Sequence, residues 1–102
     1  MTRPISRRYP TLHRLFAGYA NQDFDLHGSD PLDSVRAFAR EVGQDGRRAA
    51  LAELERLRVE RPTDAALAAA LDRLRCGVDP AAFGLTYAAF LDRVAEALGG
   101  LA

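Results

Sequence analysis

The sequence of 102 residues contains no lysine, no tryptophan and a single cysteine, Cys76. One thiol cannot form a disulfide within the chain, which is typical of proteins in a reducing compartment. No apolar run approaches the roughly 18 residues that a transmembrane helix needs, and the first residues lack the apolar stretch of a signal peptide. We therefore predict a cytoplasmic protein that does not enter a membrane.

The chain also lacks the patterns that carry common chemistry. It has neither a G-x-G-x-x-G motif nor a Walker-type loop for phosphates. Cys76 lies at a predicted helix C-terminus, where the helix dipole raises the pKa of a thiol and makes it a poor nucleophile. Asp23 and Asp25 are close in sequence, but no apolar pocket is indicated that would raise one pKa for acid–base catalysis. We predict no enzymatic activity and no cofactor.

Apolar residues make up 48% of the chain and recur with helical spacing. In residues 12–19 they fall at i, i+3, i+4 and i+7, which is typical of one buried helix face. Gly43 and Pro62 are suited to end two further helices, and Thr86 is suited to cap the last one. Glu53 and its charged neighbours are predicted to face solvent. The pattern predicts an all-α fold, a single compact five-helix bundle.

The length of the chain favours one domain. Residues 1–8 are polar and basic, and we predict that they form a flexible arm. Residues 9–102 are predicted to form the single all-α domain. A chain of this length has little room for a deep catalytic cavity in addition to a core.

Charge is unevenly distributed although the formal net charge is zero. Residues 1–20 contain four arginines and no acidic residue, whereas residues 21–33 contain four aspartates and no arginine. Zero net charge favours neither nucleic acid nor an anionic membrane as a partner, whereas a compact acidic edge can meet a basic protein surface. The predicted partner-binding residues are the four aspartates with two hydrogen-bonding neighbours: Gln22, Asp23, Asp25, His27, Asp30 and Asp33.

Two other uses of these charges stay open. Asp23, Asp25 and His27 offer ligands for a divalent cation, but the closing glutamate of a calcium-binding loop is absent. No second carboxylate-rich segment with a histidine accompanies them, so we predict no metal. The alternative function is a small helical nucleic-acid-binding regulator that uses the arginines between Arg36 and Arg48. Those arginines alternate with acidic residues, which favours a protein partner.

Two blocks of the sequence resemble the immunity proteins of bacterial contact-dependent growth inhibition, the CdiI type. Members of that family open with an aromatic–Pro–x–Leu helix that leads into a Tyr–x–x–Gln–Asp–aromatic–Asp segment. Residues 84–91, which read GLTYAAFL, are similar to the closing helix of the family. In the first block this chain has Tyr9, Pro10, Leu12, Tyr19, Gln22, Asp23, Phe24 and Asp25.

The resemblance implies a cytoplasmic, non-enzymatic protein that binds the C-terminal toxin domain of its own strain's CdiA effector as a one-to-one heterodimer. Many such toxins are nucleases, often cutting tRNA, and binding covers the active site or the substrate-binding site. A nuclease needs a cationic site to hold phosphates, and the acidic segment is predicted to occupy that site. The resemblance implies no direct contact with nucleic acid or with a membrane.

Overall fold

The computed structural model describes residues 4–19 and 31–99, and each regular element within these residues is helical. The predicted all-α bundle is therefore confirmed for this part of the chain. In chain order the elements are α1 (Ile5–Arg8), α2 (Pro10–Gly18), α3 (Pro31–Glu60), α4 (Asp64–Arg73), a 3₁₀ helix (Pro80–Phe83) and α5 (Tyr87–Ala97). The long helix α3 packs against α2 and α5, while α4 packs against α1 and α5.

Helix α1 lies in the segment that is predicted to form a flexible arm. Residues 5–8 instead form one helical turn, and Ile5 is buried against the core. Four residues are too few to display a helical period, so the spacing of apolar residues does not reveal this turn. The division of the chain into an arm and a domain stays a prediction.

The core draws fully buried aromatic and aliphatic side chains from α2, α3, α4 and α5. Phe16, Phe38 and Phe90 are among its largest side chains, and each is at most 1% exposed. The ring of Tyr19 meets that of Phe38 edge to face, with centroids 5.3 Å apart. Such a contact is favourable beyond its buried area, and it holds the end of α2 against the first half of α3.

A break at Gly43 divides α3 into two helical stretches, residues 31–42 and 44–60. Gly43 has φ 71° and ψ −172°, a backbone conformation that is essentially restricted to glycine. The predicted helix boundary at Gly43 is thus confirmed. Val42 packs so closely over Gly46 that a Cβ there would lie 2.4 Å from the Val42 Cβ. Two glycines therefore shape the break, one through its backbone and one through its small size.

Helix α2 is completed by a carboxylate that belongs to α3. Its N-cap, Tyr9, provides no side-chain hydrogen bond, and its first turn contains no acidic residue. Glu53 accepts hydrogen bonds from the backbone N–H groups of Thr11 and Leu12, at 2.8 and 3.0 Å. The predicted exposure of Glu53 is wrong, because the side chain is buried and satisfies donors that a helix N-terminus leaves without intrahelical partners.

The N-terminus of α5 is completed in a similar way. Thr86, the predicted cap, accepts a hydrogen bond from the Ala89 N–H at 3.0 Å. Asp64, in the first turn of α4, accepts hydrogen bonds from the Tyr87 and Ala88 N–H groups, both at 3.1 Å. One carboxylate thus ties the start of α5 to the start of α4, where its negative charge also favours the helix dipole.

Candidate functional site

The predicted acidic site joins the end of α2 to the start of α3. Only Asp33 of its six predicted residues falls in the described part of the chain, in the first turn of α3. Tyr19, which precedes the acidic segment in the chain, contacts Phe38 in the first half of α3, the half that also contains Asp33. The residues that lie outside the described ranges are Gln22, Asp23, Asp25, His27 and Asp30.

Asp33 carries a negative charge that already has a neighbouring cation. Its Oδ1 lies 2.7 Å from Nη1 of Arg36, and the two side chains are 37% and 45% exposed. An exposed pair of this kind contributes only about 0.2–0.5 kcal/mol to a helix. A basic group from a partner can therefore replace Arg36 with little loss, and Asp33 remains suited to a partner contact.

The basic surface that would bind nucleic acid is less continuous than the sequence indicates. Arg36 pairs with Asp33. Arg47 donates a hydrogen bond of 3.1 Å to the carbonyl of Ala39, across the break in α3. Two of the four arginines between residues 36 and 48 therefore have structural partners. Within residues 4–19 and 31–99, Arg40 and Arg48 are exposed and have no such partner. This arrangement does not favour the nucleic-acid-binding alternative.

A second charged site lies where α1 meets the C-terminal half of α3, and we call it the arginine cleft. It has a volume of about 370 Å³ and is lined by Arg7, Arg8, Arg56 and Glu60. Sequence reasoning missed this site because Arg8 and Arg56 are separated by 48 residues along the chain. The only available signal was the excess of arginine near the N-terminus.

The arginine cleft is built on the buried ring of Tyr9. The guanidinium carbons of Arg8 and Arg56 lie 5.6 and 4.9 Å from the centroid of that ring, within the range of a cation–π interaction. Arg8 also pairs with Glu60 at 2.6 Å, and Arg56 donates a hydrogen bond to the backbone carbonyl of Arg8. These contacts fix the positions of two of the three cationic groups.

An apolar groove lies on the opposite side of the same stretch of α3, against α5. It has a volume of about 630 Å³. Val59 is 76% exposed at its edge, and Arg58 pairs with Asp92 across it. Its lining residues are Leu51, Leu54, Glu55, Arg58, Val59 and Ala95.

Comparison with known proteins connects these surfaces to a family. A model of the CdiI immunity protein family matches residues 8–98, which include all of α2, α3, α4 and α5 and most of the arginine cleft. The chain belongs to the CdiI immunity protein family. The resemblance found in residues 9–25 and 84–91 is thereby confirmed. Neither the search of curated proteins nor the search of solved structures gave a match.

Membership of the CdiI family makes this chain a toxin-neutralising protein whose partner is a CdiA toxin. The acidic segment and the arginine cleft both lie within the matched residues, apart from Arg7. In residues 4–19 and 31–99, no three His, Cys, Asp or Glu side chains are grouped as a metal site requires. The predicted cation ligands Asp23, Asp25 and His27 lie outside these ranges.

Over residues 4–19 and 31–99, each helix is too short or too polar to cross a bilayer.

Cys76 is a partly buried thiol beyond the C-terminus of α4. Burial raises its pKa from 9.0 to about 11. The shift has the predicted direction, and its main cause is burial of the thiol. Since the thiolate is the reactive form of cysteine, Cys76 is a poor nucleophile at neutral pH.

Alkaline conditions are expected to destabilise the chain through this thiol. Between pH 9 and about 11 the unfolded state loses the Cys76 proton while the folded state keeps it, so the free energy of unfolding falls as pH rises. Below pH 9 both states hold the proton and the contribution is constant. Urea unfolding from pH 8 to pH 11, compared between wild type and Cys76→Ala, measures the effect.

The comparison with Cys76→Ala is needed because burial also raises the pKa of Tyr87. That phenol titrates in an overlapping range and is present in both proteins. A steeper alkaline loss of stability in the wild type is the expected result. Equal slopes in the two proteins would contradict a raised pKa for Cys76.

Proposed function

We propose that this CdiI-family protein acts in the cytoplasm and binds the C-terminal toxin domain of its cognate CdiA effector as a one-to-one heterodimer. The proposed toxin is a nuclease that cleaves tRNA, and the immunity protein blocks its active site or its substrate-binding site. The family match over residues 8–98 carries the proposal. No catalytic step on this chain is needed for such a role.

The concentration of aspartates between residues 21 and 33 supports a nuclease as the partner. A nuclease holds the phosphates of its substrate with cationic groups, and carboxylates of an inhibitor are complementary to those groups. Charge complementarity of this kind accelerates the encounter and fixes orientation more than it adds affinity. Tight neutralisation therefore also needs several buried anchor residues in an interface of roughly 1,200–2,000 Å².

The proposed contacts are those of the acidic site: Gln22, Asp23, Asp25, His27, Asp30 and Asp33. Asp33 supports this assignment because it is partly exposed and held by no more than a surface ion pair. Its position in the first turn of α3 fixes the backbone to which it is attached. A carboxylate on a rigid helix loses little conformational freedom when a partner binds.

Replacing both Asp30 and Asp33 with serine is expected to weaken toxin binding by about ten-fold, because two charges that face a cationic surface are lost. The dependence of log Kd on log salt concentration is expected to become shallower. The fold should survive, since the Asp33–Arg36 pair contributes at most about 0.5 kcal/mol. Calorimetry with the purified C-terminal toxin domain of the cognate CdiA effector measures both quantities.

A matched control replaces Asp72 and Glu96 with serine. Both side chains are exposed, on α4 and α5, and the pair removes the same net charge from the molecule. Toxin affinity of this control should stay within about two-fold of wild type. If the Asp30 and Asp33 variant binds as tightly as the control, the toxin interface lies away from the acidic site, although the family assignment is unaffected.

A further inference from the structure

We propose that the arginine cleft is a second contact site for the toxin, and that it binds carboxylate side chains on an acidic patch of the toxin surface. This inference rests on the proposed function and adds a surface to it. Three arginines and one glutamate line the cleft, so its charge at neutral pH is positive. The preferred ligand is therefore anionic.

The guanidinium groups of Arg8 and Arg56 are held in place before any ligand arrives. Both lie over the ring of Tyr9, which is 0% exposed. Arg56 is further fixed by its hydrogen bond to the Arg8 carbonyl. Because these side chains are already ordered, binding a carboxylate requires little additional loss of conformational entropy.

Each guanidinium retains donors for a ligand. An arginine side chain has five N–H donors in a planar arrangement that suits a carboxylate, and Arg56 uses one nitrogen for the Arg8 carbonyl. Arg7 is exposed and has no ion pair with any residue in the described ranges. The cleft volume of about 370 Å³ corresponds to about twelve water molecules in the liquid, which is enough for the heads of acidic side chains.

An exposed apolar residue at the edge of the apolar groove is a near neighbour of Arg56 along α3. Val59 follows Arg56 by three residues on α3, and residues at this spacing are neighbours on a helix surface. It is 76% exposed, and Phe83 is the other large apolar side chain that is exposed among the described residues. An apolar centre with charged residues around it is the usual composition of a protein–protein interface.

The chemistry of the cleft favours a protein carboxylate over a phosphate backbone. Glu60 is part of its wall. Its carboxylate would repel the continuous row of negative charges along a phosphate backbone. The formal net charge of the chain is zero, which gives no long-range attraction for a polyanion. A toxin surface that carries a few acidic side chains is compatible with both observations.

The arginine cleft lies near the start of α2, whereas Asp33, the described residue of the acidic site, belongs to the half of α3 that contacts the end of α2. The start of α2 contacts Glu53, one helical turn from Arg56, whereas Tyr19 at its end contacts Phe38. Nine residues of helix span about 14 Å. A toxin surface with the reverse polarity fits in one orientation, and the inverted orientation brings like charges together. The two sites together therefore fix the orientation of the bound toxin.

Reversing the charge of Arg7 tests the proposal in the full chain. Arg7→Glu is expected to weaken binding of the cognate toxin domain by about ten-fold, because the new negative charge repels the carboxylates that the cleft binds. Arg7→Lys should retain most of the affinity. Arg93→Glu makes the same change of charge on exposed α5 and should stay within about two-fold of wild type. Calorimetry gives the dissociation constants, and thermal unfolding checks that all variants fold.

The outcomes separate this inference from the proposed function. If wild type binds the toxin domain and Arg7→Glu binds no more weakly than Arg93→Glu, the arginine cleft is not a toxin contact while the proposed function stands. Absence of wild-type binding would overturn both. A filter-binding assay with tRNA tests the other anionic ligand. If wild type retains tRNA and Arg7→Glu does not, the cleft binds phosphates and the proposal of carboxylate recognition is overturned.

Discussion

Replacing Glu53 with alanine is expected to lower the free energy of unfolding by about 2–3 kcal/mol. The carboxylate accepts two hydrogen bonds at the start of α2. A hydrogen bond to a charged group contributes about 1.5–3 kcal/mol net, and water can replace the acceptor at the partly buried Thr11 N–H. Leu12 is fully buried, so water does not readily replace the lost acceptor at its N–H. Urea unfolding of wild type and variant at neutral pH measures the difference.

Two further variants separate the charge from the hydrogen bonds. Glu53→Gln retains a carbonyl oxygen as acceptor and should lose less than Glu53→Ala, since only the charge is removed. Glu55→Ala changes an exposed glutamate of the same helix and should remain within about 0.5 kcal/mol of wild type. If Glu53→Ala behaves like Glu55→Ala, the contact between α3 and the start of α2 does not stabilise the fold.

Replacing Gly43 with alanine is expected to destabilise the chain by about 1–3 kcal/mol. The φ and ψ values of this residue place it in a region that a residue with a Cβ enters only with strain of that size. An added Cβ meets no neighbouring atom within 4 Å, so the loss would come from the backbone alone. Thermal and urea unfolding measure it.

Gly18→Ala provides the control for that substitution. Gly18 is the last residue of α2, its backbone is not in the left-handed region, and an added Cβ there also meets nothing within 4 Å. Alanine is the better helix former, so Gly18→Ala should be neutral or stabilising by up to about 1 kcal/mol. A neutral result for Gly43→Ala would show that α3 can straighten at this position without loss.

Local signals in the sequence were sufficient to predict most of the helices. The period of apolar residues predicted α2 and both halves of α3. The predicted capping threonine of α5 and the predicted helix boundary at Gly43 are confirmed. Both were predictable because a cap or a break depends on the residue itself and on the backbone within a few positions of it. Such features depend on residues within a few positions of each other, and a single sequence displays them directly.

Features that depend on distant residues could not be predicted in this way. Glu53 lies among exposed charged residues in the sequence, and its partners are 41 and 42 positions away. The arginine cleft joins residues 7 and 8 to residues 56 and 60. Helical spacing identifies a face but not what that face contacts, so a buried carboxylate and a solvent-exposed one look alike before the chain is folded.

The acidic site shows a different limit. Its charge is evident from the composition of residues 21–33, and Asp33 is located at the start of α3. The pairing of Asp33 with Arg36 was not predicted, because Arg36 lies outside the acidic segment of residues 21–33. Whether a charge is available to a partner depends on side-chain geometry as well as on composition.

The dependence of α2 on Glu53 has a consequence for synthesis on the ribosome. A helix of nine residues is marginal in water without external contacts. The carboxylate that completes its first turn is translated about 40 residues later. The N-terminal part of a nascent chain therefore remains incomplete until the second half of α3 has left the exit tunnel, and protection against a toxin can begin only after that point.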